Sequence, residues 1–193
     1  GLIRSVSLMA NPQYVLGRPY LDAIRFNFYP RAEDLAAAVQ SGAVESAYGV
    51  SAKGALTAPY ARVFGVFWNP SEKQVYARPE VRKALSLAID RPRIVTTVLG
   101  GYATAIMGPV PPGGKVKQVL IPDSLNPTVA AARVLQGAGW TYDGTQRVWK
   151  NASTKQTLDR ITIRTSNVPE LKNVASAVKT DWERFGISVD IEL

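Results

Sequence analysis

The stretch from Arg78 to Gly113 constrains the fold of this chain more than any other part of the sequence. Pro79 suits a first helical turn, where its missing N–H costs nothing. Asp90 can end this helix and cap a second one, which the glycine pair at 100–101 would stop. Prolines then impose an extended exit. One helical face collects the apolar residues Val81, Ala84, Leu85, Ala88 and Ile89, which we expect in the core, with Arg82 and Lys83 on the surface.

Residue types missing from the chain exclude several kinds of chemistry. The 193 residues include no Cys and no His. Thiol and His nucleophiles, a His general base and the usual zinc and haem ligand sets are therefore excluded. A hydrolase or transferase would have only Ser, Asp, Glu and Lys to use, and no GxSxG motif is present. We predict a protein that is not an enzyme and that needs no cofactor and no metal.

A net charge of +8 has two interpretations. The excess lies in residues 68–160, which hold 13 basic and 6 acidic residues. A nucleic-acid or anionic-surface site would use such an excess. However, the basic residues are scattered and never run beyond two in a row, which favours a solvated basic face. A basic nucleic-acid-binding α/β module stays open as a remote alternative.

The rest of the chain mixes strand and helix patterns, which predicts a mixed α/β (α+β) fold. No run of about 18 apolar residues could span a membrane. The chain begins without Met and ends in an alternating strand pattern, so we expect an internal part of a longer protein. The predicted strands are 1–10, 20–29, 44–50, 63–68, 158–165 and 187–193, and the further predicted helices are 32–40, 127–137 and 169–185. Asp143-Gly144 predicts a hairpin turn. The last strand–helix–strand run predicts a β-α-β unit.

Aromatic residues allow more than one interpretation. The run Val63 to Trp68 is short, apolar and bulky, as in a strand buried on both faces. Its aromatic side chains could belong to the core, or they could line a ligand cleft beside a hinge. Trp182 falls on the apolar stripe of the last helix and predicts core packing. Trp140 and Trp149 flank the hairpin and predict local packing.

Six segments, taken in order, resemble a known family, and two of them are short: residues 35–47 are similar to "l…GeiD" and residues 67–69 to the "l-x-x-N" strand. Residues 8–26 are similar to "NPxYwxGxPyLDxIxF", residues 78–113 to "vRxAlxxAiDRxxiv…G…P…PP", residues 130–140 to "AxxLLxxAGW" and residues 175–189 to "aqxixxxlxxiGIxVxl". Glu45 stands where an Asp is usual, and Phe185 replaces an aliphatic residue. The ordered set resembles the family 5 extracellular solute-binding proteins, the peptide-capturing subunits of ABC importers.

The resemblance implies a two-lobed fold of the periplasmic-binding-protein type (type II). Residues 1–67 would end the first lobe at a hinge strand, and residues 68–193 would begin the second. A peptide would lie extended between closing lobes, held largely by backbone contacts. Nickel chelate, haem or oligosaccharide are alternative solutes within the family.

The resemblance also implies partners and a location. The partners would be a peptide or other small solute and the permease subunits of an ABC transporter, without nucleic acid. A monomer would work outside the cytoplasm, in the periplasm or on the outer face of the membrane. It would touch the membrane only through a lipid anchor outside this chain.

Candidate ligand contacts follow from the inferred hinge. Phe67, Trp68 and Asn69 lie beside it, and Tyr48 is a fourth candidate. The family's acidic anchor for the peptide amine lies downstream of the "GIxV" strand. No residue of this chain is therefore assigned that role.

Overall fold

The computed structural model describes residues 3–50, 62–110 and 126–193. The chain divides into two compact units, Gly1–Ala58 and Pro59–Leu193. The proposed lobe boundary after Phe67 is a separate matter and stays a prediction.

The first unit pairs two strands and adds one helix. Strand β1 (Ser5–Met9) runs antiparallel to β2 (Ala23–Asn27), and helix α1 (Ala32–Gln40) follows. All three elements are confirmed. The register places Val6 opposite Phe26 and Leu8 opposite Ile24, so one face of the ribbon is apolar. These four side chains are 37 to 52% exposed.

The strand predicted over 44–50 is wrong. These residues form bends without regular secondary structure. Gly49 has φ +84°, in the left-handed region, which interrupts an extended path. Apolar residues at each end of the segment cannot make a strand without a pairing neighbour.

The two predicted capped helices are confirmed, and both contribute side chains to the core of the second unit. Helix α2 (Pro79–Leu87) follows a short 3-10 helix (Gln74–Ala77) and precedes α3 (Arg91–Thr97). Asp90 caps α3, because its Oδ1 accepts a hydrogen bond from the Arg93 N–H at 3.0 Å. The apolar face of α2 is buried as predicted. Lys83 is exposed, whereas Arg82 is half-buried and donates to the Tyr76 carbonyl at 2.7 Å.

Helix α4 (Pro127–Gly137) also begins at the predicted cap. The Asn126 Oδ1 accepts from the Thr128 N–H at 3.0 Å. Helix α4 packs against α2 and buries Ala131 and Leu135 completely. The local capping signals therefore located both helices.

A three-stranded antiparallel meander follows α4. It contains β3 (Trp140–Asp143), β4 (Val148–Asn151) and β5 (Gln156–Leu158). The turn at Asp143 is confirmed, since its Oδ1 accepts from the Thr145 and Gln146 N–H groups, each at 3.1 Å. The strand predicted over 158–165 is confirmed as β6 (Arg160–Arg164), except at its start: Leu158 belongs to β5, and Asp159 divides the two strands, which lie in different sheets.

The predicted β-α-β unit closes the chain. Helix α5 (Pro169–Arg184) joins β6 to β7 (Ser188–Glu192), and the two strands are parallel, with Ile161 opposite Val189. Gly186 ends α5 at φ +91°, as predicted. Trp182 is fully buried, and its indole N–H donates to the Leu85 carbonyl at 2.9 Å. This bond ties α5 to α2.

Trp149 does more than the local packing predicted for it. Its ring stacks on Phe185 with centroids 5.1 Å apart, and its indole N–H donates to the Phe185 carbonyl at 3.2 Å. Trp140 is 1% exposed. Both tryptophans therefore belong to the core, and Trp149 attaches the meander to the end of α5.

The strand predicted over 63–68 is wrong as well. Residues 62–69 form no regular secondary structure, and Val63, Val66 and Phe67 are 37, 41 and 95% exposed. Apolar, branched side chains favour a strand, but only backbone pairing makes one. No helix within the described ranges is long and apolar enough to cross a membrane.

Candidate ligand-facing segment

Three of the four predicted site residues lie in one segment of the second unit, residues 62–73. The structure gives them different surroundings. Phe67 is 95% exposed, Trp68 is half-buried and Asn69 is exposed. Proximity in the sequence brings the three together, but only Phe67 presents nearly all of its side chain to solvent.

Trp68 packs on the core of the second unit. Its ring centroid lies 5.2 Å from that of Tyr76 and 5.6 Å from that of Trp182. Burial raises the pKa of the Tyr76 phenol above its usual value, and the carboxylates of Glu72 and Asp159 add to the effect. The environment of Trp68 is thus largely apolar, and its ring fixes the segment to the core.

Asn69 forms a turn. Its Oδ1 accepts from the Ser71 N–H at 3.2 Å, and its carbonyl accepts from the Glu72 N–H at 3.2 Å. An Asn side chain that bonds the backbone two residues on stabilises a turn. This local bond occupies the amide oxygen of Asn69.

Charged contacts hold both ends of the segment against the β-α-β unit. Arg62 forms an ion pair with Glu170 at 3.5 Å. At the other end, Glu72 pairs with Arg164 at 2.9 Å, and Lys73 donates to the Arg160 carbonyl at 2.7 Å. The segment is therefore fixed at both ends and, through Trp68, between them.

A polar depression of about 250 Å³ adjoins the end of the segment. Lys73, Gln74 and Val75 line one side, and Gln156, Thr157 and Asp159 line the other. The Lys73 ammonium lies 3.9 Å from the Asp159 carboxylate. The charge of this depression is therefore largely balanced.

Tyr48 belongs to the first compact unit, where it is 89% exposed. It lies outside regular secondary structure, since residues 41–50 form turns and bends. It therefore remains a candidate on exposure alone.

Sequence reasoning missed the charged groups that hold these elements in place. Asp181 is 3% exposed and accepts from the Asp90 N–H at 3.0 Å and the Arg93 guanidinium at 2.7 Å. Asp181 follows Val178 by three positions, which places it on the buried face of α5. This spacing is the signal in the sequence that could have identified Asp181 as a buried carboxylate. Glu72 and Arg164 are far apart in the sequence, and no local pattern pairs them.

Acidic clusters in the described parts of the chain give no metal centre. No group of three or more Asp and Glu side chains in residues 3–50, 62–110 and 126–193 could hold a metal ion.

Two solved structures illustrate the fold that this chain shares. The nickel ABC transporter protein from Bacillus halodurans matches with a TM-score of 0.64 and 21% identity, over 97% of this chain and 40% of that one. The oligopeptide-binding protein AppA from Bacillus subtilis, solved with a nonapeptide, matches with a TM-score of 0.59 and 21% identity, over 98% and 39%. The mixed α/β fold is thus part of the two-lobed architecture of binding proteins.

The family follows from the sequence comparisons. The model of the bacterial extracellular solute-binding proteins, family 5 Middle, matches residues 4–193, and the chain belongs to this family. The glutathione-binding protein GsiB of Escherichia coli K12 is 30% identical over 152 residues, which are 72% of this chain and 30% of that protein. AppA is 25% identical over 97% of this chain and 36% of its own length. The chain spans about a third of these relatives.

Proposed function

We propose that this chain contributes to the capture of a peptide between two lobes, as part of the uptake of solutes by an ABC importer. The observation that carries the proposal is Phe67. It is 95% exposed, although Trp68 beside it packs on the core. A fixed backbone that presents a bare aromatic ring suits the wall of a solute cleft in a family 5 protein.

A peptide can be held there with broad sequence tolerance. Backbone hydrogen bonds would carry most of the affinity, and pockets with water would accept different side chains. Phe67 would add an apolar contact, since covering such a ring is worth about 1.5–3 kcal/mol. The two lobes would close on the peptide, and the bound peptide would stabilise the closed form.

Family 5 proteins work outside the cytoplasm, and we extend this location to the present protein. The permease subunits of an ABC transporter would receive the solute. A lipid anchor and a monomeric state complete the proposal. The named relatives are binding proteins, which supports a role without catalysis.

A nickel chelate is the second candidate. The nickel protein of Bacillus halodurans gives a TM-score of 0.64, against 0.59 for AppA. Sequence favours peptides instead, since the relatives at 30 and 25% identity bind glutathione and oligopeptides by name. We therefore place peptides first.

Titration calorimetry on the full-length protein tests the choice of solute. The probes are tri-alanine, glutathione, a nonapeptide and nickel–histidine. We expect binding of at least one of the three peptide probes and none of nickel–histidine. Binding of nickel–histidine alone would contradict the peptide proposal.

Phe67→Ala in the same protein tests the site. Its affinity for the bound peptide should fall about 10- to 100-fold, the equivalent of covering one aromatic ring. Val66→Ala serves as the matched control, because Val66 is 41% exposed in the same segment and its truncation removes less apolar area. This control should change the affinity less than Phe67→Ala does. Equal affinity of wild type and Phe67→Ala would remove Phe67 from the site.

A further inference from the structure

Arg164 connects the β6–β7 sheet to the segment that carries Phe67. It is the last residue of β6, and its guanidinium bonds two carboxylates. Nε donates to Glu192 of the neighbouring strand at 2.8 Å, and Nη1 donates to Glu72 at 2.9 Å. The first contact lies within the sheet. The second reaches 92 residues back along the chain to the 62–73 segment.

A short series of contacts leads from Glu72 to Phe67. The Glu72 N–H donates to the Asn69 carbonyl at 3.2 Å, which closes the turn. Only Trp68 separates Asn69 from Phe67, and the Trp68 ring packs between Tyr76 and Trp182. Because this path is short, we expect a shift of Glu72 to move the turn and, with it, Phe67.

The other charged contacts of the segment do not replace this one. Arg62 and Glu170 form their pair at the opposite end, before Phe67. Lys73, which follows Glu72 in the chain, holds the same end of the segment to β6 through the Arg160 carbonyl and lies 3.9 Å from Asp159, but it contacts neither Arg164 nor Glu72 in these bonds. The Arg164–Glu72 pair joins the turn at 69–72 to the β6–β7 sheet through two charged side chains.

We propose that Arg164 is a positioning residue for the solute site: through Glu72 it holds the 69–72 turn in the place that directs Phe67 toward the solute. The proposal rests on the proposed function of Phe67. Arg164 itself does not touch the solute.

Salt dependence follows from the exposure of the pair. The side chains of Arg164 and Glu72 are 61 and 42% exposed, so dissolved salt screens their attraction. Affinity for a solute without net charge should then fall as salt rises. An exposed pair is weak, and the loss should be about two- to fivefold.

The first test needs no solute. Full-length protein is labelled with 5-fluorotryptophan, and the Trp68 resonance is assigned by its loss in Trp68→Phe. We expect Glu72→Gln and Arg164→Gln to shift this resonance alike, and the double variant to shift it no further. Glu192→Gln, which removes the partner of Arg164 within the sheet, is the matched control and should shift it less. An unchanged resonance in Glu72→Gln and Arg164→Gln would overturn the proposal.

The second test measures affinity for tri-alanine by calorimetry, with melting temperatures recorded for every variant. Glu72→Gln and Arg164→Gln should weaken binding about two- to fivefold, without adding to each other, and should show a weaker salt dependence than the wild type. Wild-type affinity in both variants, while Phe67→Ala weakens binding, would overturn the role of Arg164 alone. Wild-type affinity in Phe67→Ala would instead overturn the proposed function. If tri-alanine does not bind, the resonance of Trp68 decides about Arg164.

Discussion

Phe67 and Trp68 are neighbours in the chain, yet their side chains have different surroundings. Trp68 contacts Tyr76 and Trp182, whereas Phe67 is almost fully exposed. The sequence could nominate both, because bulky aromatics beside an inferred hinge suit a cleft. It could not divide their roles, because Trp182 contacts Trp68 only after α5 has packed against the core. Burial of a side chain depends on residues that are distant in the chain.

Trp68→Ala should therefore affect stability as well as binding. Removing a half-buried ring leaves Tyr76 and Trp182 without their neighbour, and we expect a loss of about 2–3 kcal/mol in the free energy of unfolding. Urea unfolding measures it. Trp68→Phe is the matched control and should keep most of the stability. At temperatures where both variants are folded, Trp68→Ala should still bind peptide more weakly than Trp68→Phe. Equal affinities would show that Trp68 only supports the core.

Helices were easier to predict than strands at the scale of the elements. The caps of α3 and α4 lie in their own sequence, at Asp90 and Asn126, and both bond as expected. The segments 44–50 and 63–68 have strand-like side chains but no regular structure. A helix satisfies its hydrogen bonds internally, whereas a strand depends on a neighbour that its own sequence does not specify.

The β3–β4 hairpin should weaken in acid. The Lys150 ammonium bonds the Asp143 carboxylate at 2.8 Å, and this bond, followed by the Gln146 N–H, lowers the pKa of Asp143 below its ordinary value of 3.8. A lowered pKa contributes stability above pH 3.8, and that contribution is lost as the pH falls through the folded value. Amide exchange at Thr145 and Gln146 in the turn should therefore speed up, relative to the amides of strands β3 and β4, as the pH falls below 3.8.

Asp143→Asn is the control for this hairpin. It keeps an oxygen for the turn but cannot titrate, so its relative exchange at Thr145 and Gln146 should not depend on acid. The same acid dependence in Asp143→Asn and in the wild type would contradict the role of the carboxylate.

At the scale of the whole molecule, we expect the charge of +8 to form a solvated basic face and not a nucleic-acid site. Several arginines face carboxylates: Arg93 meets Asp181 at 2.7 Å, Arg160 meets Asp190 at 3.2 Å, and Arg164 meets two glutamates. A guanidinium group that is paired with a carboxylate attracts a phosphate less strongly, because its positive charge is already partly neutralised. The family membership and this pairing together favour the solvated basic face.

Binding of a labelled DNA duplex of about 20 base pairs tests that interpretation. We expect dissociation constants above about 10⁻⁴ M at physiological salt, weaker than typical non-specific DNA binding. Fluorescence anisotropy at low and high salt provides the measurement. Micromolar affinity that falls steeply with salt would revive the nucleic-acid alternative.

The bond between Trp182 and Leu85 also has a consequence for synthesis on the ribosome. It spans 97 residues, so α2 emerges long before the helix that completes its packing. At about 5–20 residues per second, the apolar face of α2 waits roughly 5 to 20 seconds for Trp182. Until α4 emerges, Val81 and Leu85 are available to chaperones and to other nascent chains, and afterwards α2 still lacks the contact of Trp182. Because Trp182 is synthesised 97 residues after Leu85, the time needed to make those residues determines when the packing of the core on α2 can be completed.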